Sequence, residues 1–246
     1  MHTRDDAFRA ATCFRIAAWL LLFVASGVSA APHVPVSDDV VIERLPIRPG
    51  DPVSGEINAL RRKLAGNPAD LTLALRLART YFALAGAQSD PRFVGYAQAV
   101  LKPWWNLPKP PPGVLVMRAT LRQYRHDFAG AIADIDAVLA LQPDNIDALS
   151  LRAGIHLVQA DYAQSRADCA RMAPHVTALT DTGCVTFIDG MTGRARSGMA
   201  RLDAALAREN QVDADQRLWI LTRLAEMAWR LDEQRRAESY FKRALA

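Results

Sequence analysis

Side chains able to do chemistry are few in this sequence, and their spacing is poor for catalysis. Histidines stand at His33, His126, His156 and His175, beyond one near the start. None falls in HExxH or at a Cys/His spacing that would hold a metal. No GxSxG frames a serine, and no glycine-rich loop is built to cradle phosphate. Asp134, Asp136, Asp144, Asp147, Asp161 and Asp168 read as solvated helix faces and caps rather than as an acid–base pair. Neither an enzyme, a metal nor a cofactor is expected. The exception is a pair of thiols. Cys169 stands five residues before Pro174, late in one apolar-periodic segment, and Cys184 stands six residues after Ala178, early in the next. They are nearly equidistant from the turn between. Antiparallel helices joined there would bring the two within the roughly 5–6 Å Cα separation a disulfide needs, so a bridge is expected. No redox-active CxxC is present.

The segments that must hold these residues begin with an address. Arg4, Arg9 and Arg15 are followed by an apolar stretch from Ile16 through Leu20, Leu21, Leu22, Phe23 and Val24. The small residues Val28-Ser29-Ala30-Ala31 come next. Basic, apolar, small is the order of a secretory signal peptide, and a greasy core of about a dozen residues is too short to span a bilayer. Cleavage after Ala30 is expected, with a periplasmic destination. Loss of residues 1–30 takes the formal net charge from +4 to +3. An oxidising compartment would suit the thiol pair. Residues 31–52 carry Pro32, Pro35, Pro46, Pro49 and Pro52. Proline blocks helix, so this stretch reads as an extended lead-in. Val40, Val41, Ile42 and Leu45 are its candidates for packing.

From residue 53 the sequence repeats itself. Half of all residues are hydrophobic and 23% are charged, a folding composition. Residues 34 apart match: Leu115 with Leu149, Arg118 with Arg152, Ala119 with Ala153, Asp127 with Asp161, Phe128 with Tyr162, Asp134 with Asp168. LVMRATLRQYRHDF and LSLRAGIHLVQADY are the two segments that carry most of this. Each period has a helical pattern with one small residue, a short polar turn, a second helical pattern and a helix stop such as Leu141-Gln142-Pro143-Asp144.

This pattern resembles the tetratricopeptide repeat family, whose period is 34 residues. Residues 112–145 supply Leu115, Ala119, Ala131, Ile135, Val138 and Pro143. Residues 146–178 supply Leu149, Ala153, Ser165, Cys169 and Met172, and residues 218–246 supply Leu221, Leu224, Ala225, Ala237, Phe241 and Ala244. Units at 71–102 and 179–210 are weaker. The first is interrupted by Gln88-Ser89-Asp90-Pro91-Arg92-Phe93, and the second has Gly198 where Ala is expected. Glu56–Ala65 reads as a lone second helix before the first unit. Arg118 and Arg152 depart from the family pattern by replacing Leu; their stems are expected to lie on apolar surface with the heads in water. Trp104 and Trp105 are expected to plug the gap left by the interruption, with Lys109-Pro110-Pro111-Pro112 stiffening the link.

The resemblance implies an all-α fold, a right-handed solenoid of stacked antiparallel helix pairs with about four to five units over 53–246. It further implies a groove lined by the first helices, suited to a peptide or a partner's helix. Groove residues carried over by position are Arg79, Phe82, Thr120, Gln123, Tyr124, Leu157, Glu226 and Trp229. The Lys and Asn clamp that some members use for a partner's C-terminus is absent, since Leu75 and Arg79, Val116 and Thr120, and Ser150 and Gly154 stand there. In the last helix a polar stripe, Arg235, Arg236, Ser239, Lys242 and Arg243, opposes an apolar one, Ala237, Tyr240, Phe241, Ala244 and Leu245. That is the wet end cap of a monomer. Basic residues near this end are interleaved with Glu233 and Glu238, which disfavours nucleic acid. No ordinary membrane span is expected. The functional expectation is an exported scaffold for another protein or peptide, an adaptor or assembly factor of the cell envelope. The alternative is a ligand- or substrate-handling accessory of an envelope enzyme or transporter, with a pocket near Phe82, Trp104 and Tyr124. Expressed with its leader in a Gram-negative host, the protein should yield a periplasmic species whose N-terminal sequence begins at Ala31; a cytoplasmic product starting at Met1 would refute export.

Overall fold

The computed structural model describes residues 34–37, 40, 42 and 52–245. The chain divides into two units, 1–48 and 49–246. The signal peptide expected over 1–30 lies outside the described residues, as do Val41 and Leu45. Val40 and Ile42, expected to pack, are exposed.

The second unit is helical throughout, with no strand among its described residues. Its helices, in chain order, are α1 (Pro52–Gly66), α2 (Leu71–Gln88), α3 (Arg92–Val100), α4 (Lys102–Trp105), α5 (Pro112–Tyr124), α6 (Phe128–Leu141), α7 (Ile146–Val158), α8 (Tyr162–Met172), α9 (Ala178–Met191), α10 (Ala195–Arg208), α11 (Ala214–Arg230) and α12 (Gln234–Ala244). A 3-10 turn, Ala173–His175, follows α8. Local chemistry sets half of the starts. Asp70, Asp127, Asn145, Asp161, Thr177 and Asp213 each accept a first-turn backbone N–H from their side chains. Such caps satisfy donors that have no partner inside the helix.

Five antiparallel pairs result: α2/α3, α5/α6, α7/α8, α9/α10 and α11/α12. Every pair turns through one residue with positive φ: Ser89 (52°), His126 (62°), Ala160 (61°), Gly193 (81°) and Asp232 (60°). His126 and Ala160 are 34 apart, so the period seen in the letters is also a backbone period. Only Gly193 is a glycine; the other four hold the left-handed conformation at a cost of about 1 kcal/mol or more. Each second helix packs on its own first helix and, α12 excepted, on the first helix of the next pair. α1 packs on α2 in the same way, as the lone second helix that was expected.

The core is continuous in kind but local in its contacts. Leu115, Ala119, Ile135, Val138, Leu149 and Ile155 form one cluster across the second and third pairs. Leu179, Met199, Leu202, Leu221, Leu224 and Tyr240 form another across the last two. Ala119, Ala131, Ala148 and Ala225 are fully buried, which lets backbones approach. The interrupted first pair lengthens α2 to Gln88, and Tyr81, Phe93 and Tyr96 fill it with ring centroids 5.5–6.2 Å apart. The tryptophans stand half-buried in the short α4, where Trp105 lies 5.8 Å from the Arg118 guanidinium and accepts a hydrogen bond from it through its carbonyl.

Three expectations are corrected. The heads of Arg118 and Arg152 are not in water; their side chains are 13% and 18% exposed. Arg118 grips Asp134 with Nε and Nη2 at 2.9 and 2.6 Å, and Arg152 grips Asp168 with the same atoms at the same distances. Asp134 and Asp168 are therefore buried ion-pair partners, not solvated faces. On the last helix, Phe241 and Leu245 do not join the buried stripe of Ala237 and Tyr240 but stay exposed. Asp134→Ala should destabilise the fold by about 3–5 kcal/mol, because it strands the Arg118 guanidinium without its carboxylate. Urea unfolding followed by circular dichroism measures this; a loss below about 1 kcal/mol would refute the pair's importance.

Candidate functional site

The first helices of the first three pairs stand side by side and leave a hollow of about 350 Å³ between them. Its walls come from α2 (Arg79, Phe82, Ala83), α5 (Val116, Met117, Thr120) and α7 (Asp147, Ser150, Leu151). The residues on α5 and α7 repeat: Val116 and Ser150 are 34 apart, as are Met117 and Leu151. The hollow is thus a product of the repeat, one turn of each helix facing the same way. Phe82, Ala83, Val116, Met117 and Leu151 make most of its lining apolar, and Arg79 and Asp147 bring opposite charges to it. Neither forms an ion pair with another described residue. Asp147 sits in the first turn of α7, where the helix dipole favours a carboxylate. Thr120 donates its hydroxyl to the Val116 carbonyl at 3.0 Å.

Of the positions carried over from the sequence, Arg79, Phe82 and Thr120 line this hollow. Tyr124 joins them from the side, its ring edge-on to Phe82 with centroids 5.9 Å apart and the side chain well exposed. Gln123 is half-buried on the same helix and does not line it. Trp104, in α4, is half-buried and also outside the lining. Leu157 is a correction: only 4% exposed, it packs with Ala153, Cys169 and Ile188 and offers the groove nothing. Glu226 and Trp229 stand apart on α11. Trp229 is 64% exposed, and Glu226 pairs with Arg223 at 3.1 Å. Arg223 stacks on Phe187 at 4.2 Å, with its Nε buried and unbonded. Burial pulls its guanidinium below the usual arginine range, against the opposing charge of Glu226.

Val116 and Ser150, at the fifth places of their units where the clamp was sought, and Asp147, at the second, also line the hollow, and the resemblance puts groove residues at both places; Met117 and Leu151, at the sixth place, were missed as lining residues.

The third and fourth pairs are covalently joined. Cys169 on α8 and Cys184 on α9 form a disulfide with a Cα–Cα distance of 5.9 Å, as their spacing about the turn implied. Leu157, Tyr162, Phe187 and Met191 pack around it. No group of three or more His, Cys, Asp or Glu among the described residues is placed to hold a metal ion. No helix among them is long and apolar enough to cross a membrane.

The fold is an α-solenoid of stacked antiparallel helix pairs, with an open hollow between the first helices of its first three pairs. No family model matches the chain, and no curated protein does. Solved structures similar to it include the MamA RS-1 ArsTM double mutant, at 17% identity and a TM-score of 0.44 over 70% of this chain and 93% of that one. Another is a tetratricopeptide repeat protein from Parabacteroides merdae ATCC 43184, at 13% identity and a TM-score of 0.45 over 78% of this chain and 85% of that one. Likenesses this distant say nothing about what this chain binds.

A reductant should lower the midpoint of thermal unfolding by roughly 6–12 °C, the counterpart of about 3 kcal/mol for a loop of this size. The doubly substituted Cys169→Ala, Cys184→Ala protein should not respond to reductant at all. An unchanged midpoint in the parent protein would mean that the bridge does not form.

Proposed function

We propose that this protein is an exported, non-catalytic scaffold that holds a segment of another protein against its first-helix face in the cell envelope. One observation carries the reading: three successive first helices contribute to a single open hollow with a largely apolar lining and two charges, Arg79 and Asp147, that form no ion pair with another described residue. Such a surface suits a peptide or helix that brings an apolar anchor and a polar flank. Aromatic and arginine side chains supply much of the energy in interfaces of this kind, and Phe82, Tyr124 and Arg79 are placed for it. The basic–apolar–small order of residues 4–31 supports export, and a disulfide joining the two cysteines beyond residue 30 suits an oxidising compartment.

The alternative is a small-ligand accessory subunit. A volume of about 350 Å³ falls in the range of small-molecule pockets. The hollow is nevertheless open along the stack, and Trp104 does not line it, which favours a chain over a compact ligand.

Photocrosslinking tests the reading. A benzophenone amino acid at Thr120 or at Ser150 should trap one and the same partner in cell-envelope material. The same probe at Gln164, exposed on the second helix α8, should not. Phe82→Ala and Arg79→Glu should each weaken the purified pair at least tenfold. Equal trapping from all three positions, or affinity indifferent to both substitutions, would refute the groove.

A further inference from the structure

Each of the middle three pairs buries a carboxylate between its helices, and the three are balanced differently. In the second pair Arg118 and Arg122 face Asp134, with Asp127 3.6 Å from Arg122: two cations, two anions. In the third pair Arg152 alone faces Asp168 and Asp136, so acid is in excess. The fourth pair is the reverse. Asp189, on α9 and 3% exposed, accepts from Arg166 Nη2 and Arg194 Nε at 2.6 and 2.9 Å on one oxygen. Arg201 Nη2 takes the other oxygen.

One guanidinium is enough to neutralise one carboxylate. Three converge here, from α8, the α9–α10 turn and α10, and no second carboxylate pairs with any of them among the described residues. The local charge is +2. The surplus is not hidden: the side chains of Arg166, Arg194 and Arg201 are 34%, 55% and 55% exposed, whereas the carboxylate they share is 5% exposed. Beyond the Asp189 bonds, one further guanidinium N–H is used among the described residues, from Arg194 Nη2 to the Thr192 hydroxyl at 3.1 Å. The buried carboxylate therefore acts as an anchor. Three cations converge on it, each with its side chain partly open to solvent.

Like charges held together in this way repel one another unless an anion joins them. From this we infer that the Arg166–Arg194–Arg201 cluster is a site for a phosphoryl group, free or as a monoester. A phosphate monoester carries about −1.5 to −2 at neutral pH and presents three acceptor oxygens. It matches both the surplus charge and the number of forks, where a lone carboxylate matches neither; guanidinium is the side chain best shaped for such oxygens. The site is independent of the first-helix hollow, whose lining shares no residue with it.

The test uses the full exported chain and two probes, inorganic phosphate and glycerol phosphate, titrated at constant ionic strength with chloride as the balancing ion. Binding is read from the arginine side-chain resonances. Saturable shifts confined to Arg166, Arg194 and Arg201, with a dissociation constant below about 1 mM for either probe, support the site. Tighter binding of glycerol phosphate identifies an esterified ligand; tighter binding of inorganic phosphate identifies the free ion. Arg194→Ala with Arg201→Ala leaves Arg166 to neutralise Asp189, so the fold should survive by circular dichroism while affinity falls at least tenfold. Arg217→Ala, on α11, should change nothing. Shifts that do not saturate, an affinity unchanged in the double variant, or tighter binding of a glutamate-rich peptide at the same arginines would each overturn the assignment.

Discussion

A pair of α-helices has more apolar surface than it can hide by itself. This constraint organises the whole of residues 52–245. Ile135 and Val138 on the second helix of one pair share a cluster with Ala148 and Leu149 on the first helix of the next. The surface left bare by one pair is covered by its successor, as nearest-neighbour stacking requires. Because second helices do most of this work between pairs, the first helices are left to form a surface of their own. Binding geometry is then a by-product of burial. The hollow opens where α2, α5 and α7 stand beside one another, and Val116, Met117 and Leu151 serve both its lining and the core behind it.

Within that frame the buried ion pairs act as pins. A hydrophobic interface between helices tolerates slippage by a turn; a forked arginine on a buried carboxylate does not. Arg118–Asp134 and Arg152–Asp168 recur at the same separation of 16 residues, with the same atoms bonded at the same lengths. Lysine at either place would keep the charge and lose the fork. Departure from the leucine of the family pattern at these places is thus compensated by a matching aspartate on the partner helix.

Much of the architecture was legible in the letters. Matches at an offset of 34, the small residues Ala119 and Ala153, the capping aspartates Asp127 and Asp161 and the lone helix before the first unit all reappear as backbone. The paired cysteines were legible as well, because their distances from the turn are nearly equal. The ion pairs were not. Arg118 and Asp134 each look like ordinary surface residues, and only the facing of two helices reveals that their heads meet. Asp189 hid in the same way, since its three partners come from elements 5 to 23 residues away. Leu157 was misplaced because position within a repeat ignores what a neighbour brings. Around the disulfide, Phe187 and Met191 close over a place that a more open junction would leave bare. Phe241 and Leu245 obeyed helical periodicity, but no helix among the described residues covers them.

The disulfide lies across a boundary between pairs rather than within one. In an array held by neighbour contacts, disorder that starts at an end spreads inward one pair at a time. A covalent tie between α8 and α9 makes the third and fourth pairs a single step in that sequence. Fraying from the N-terminal side can release α1 to α6 without disturbing α9, but it cannot separate α8 from α9. The molecule thereby has an uneven ladder of partial states, with a sturdy middle and two thinner flanks, and the hollow between α2, α5 and α7 is built mostly on the thinner one.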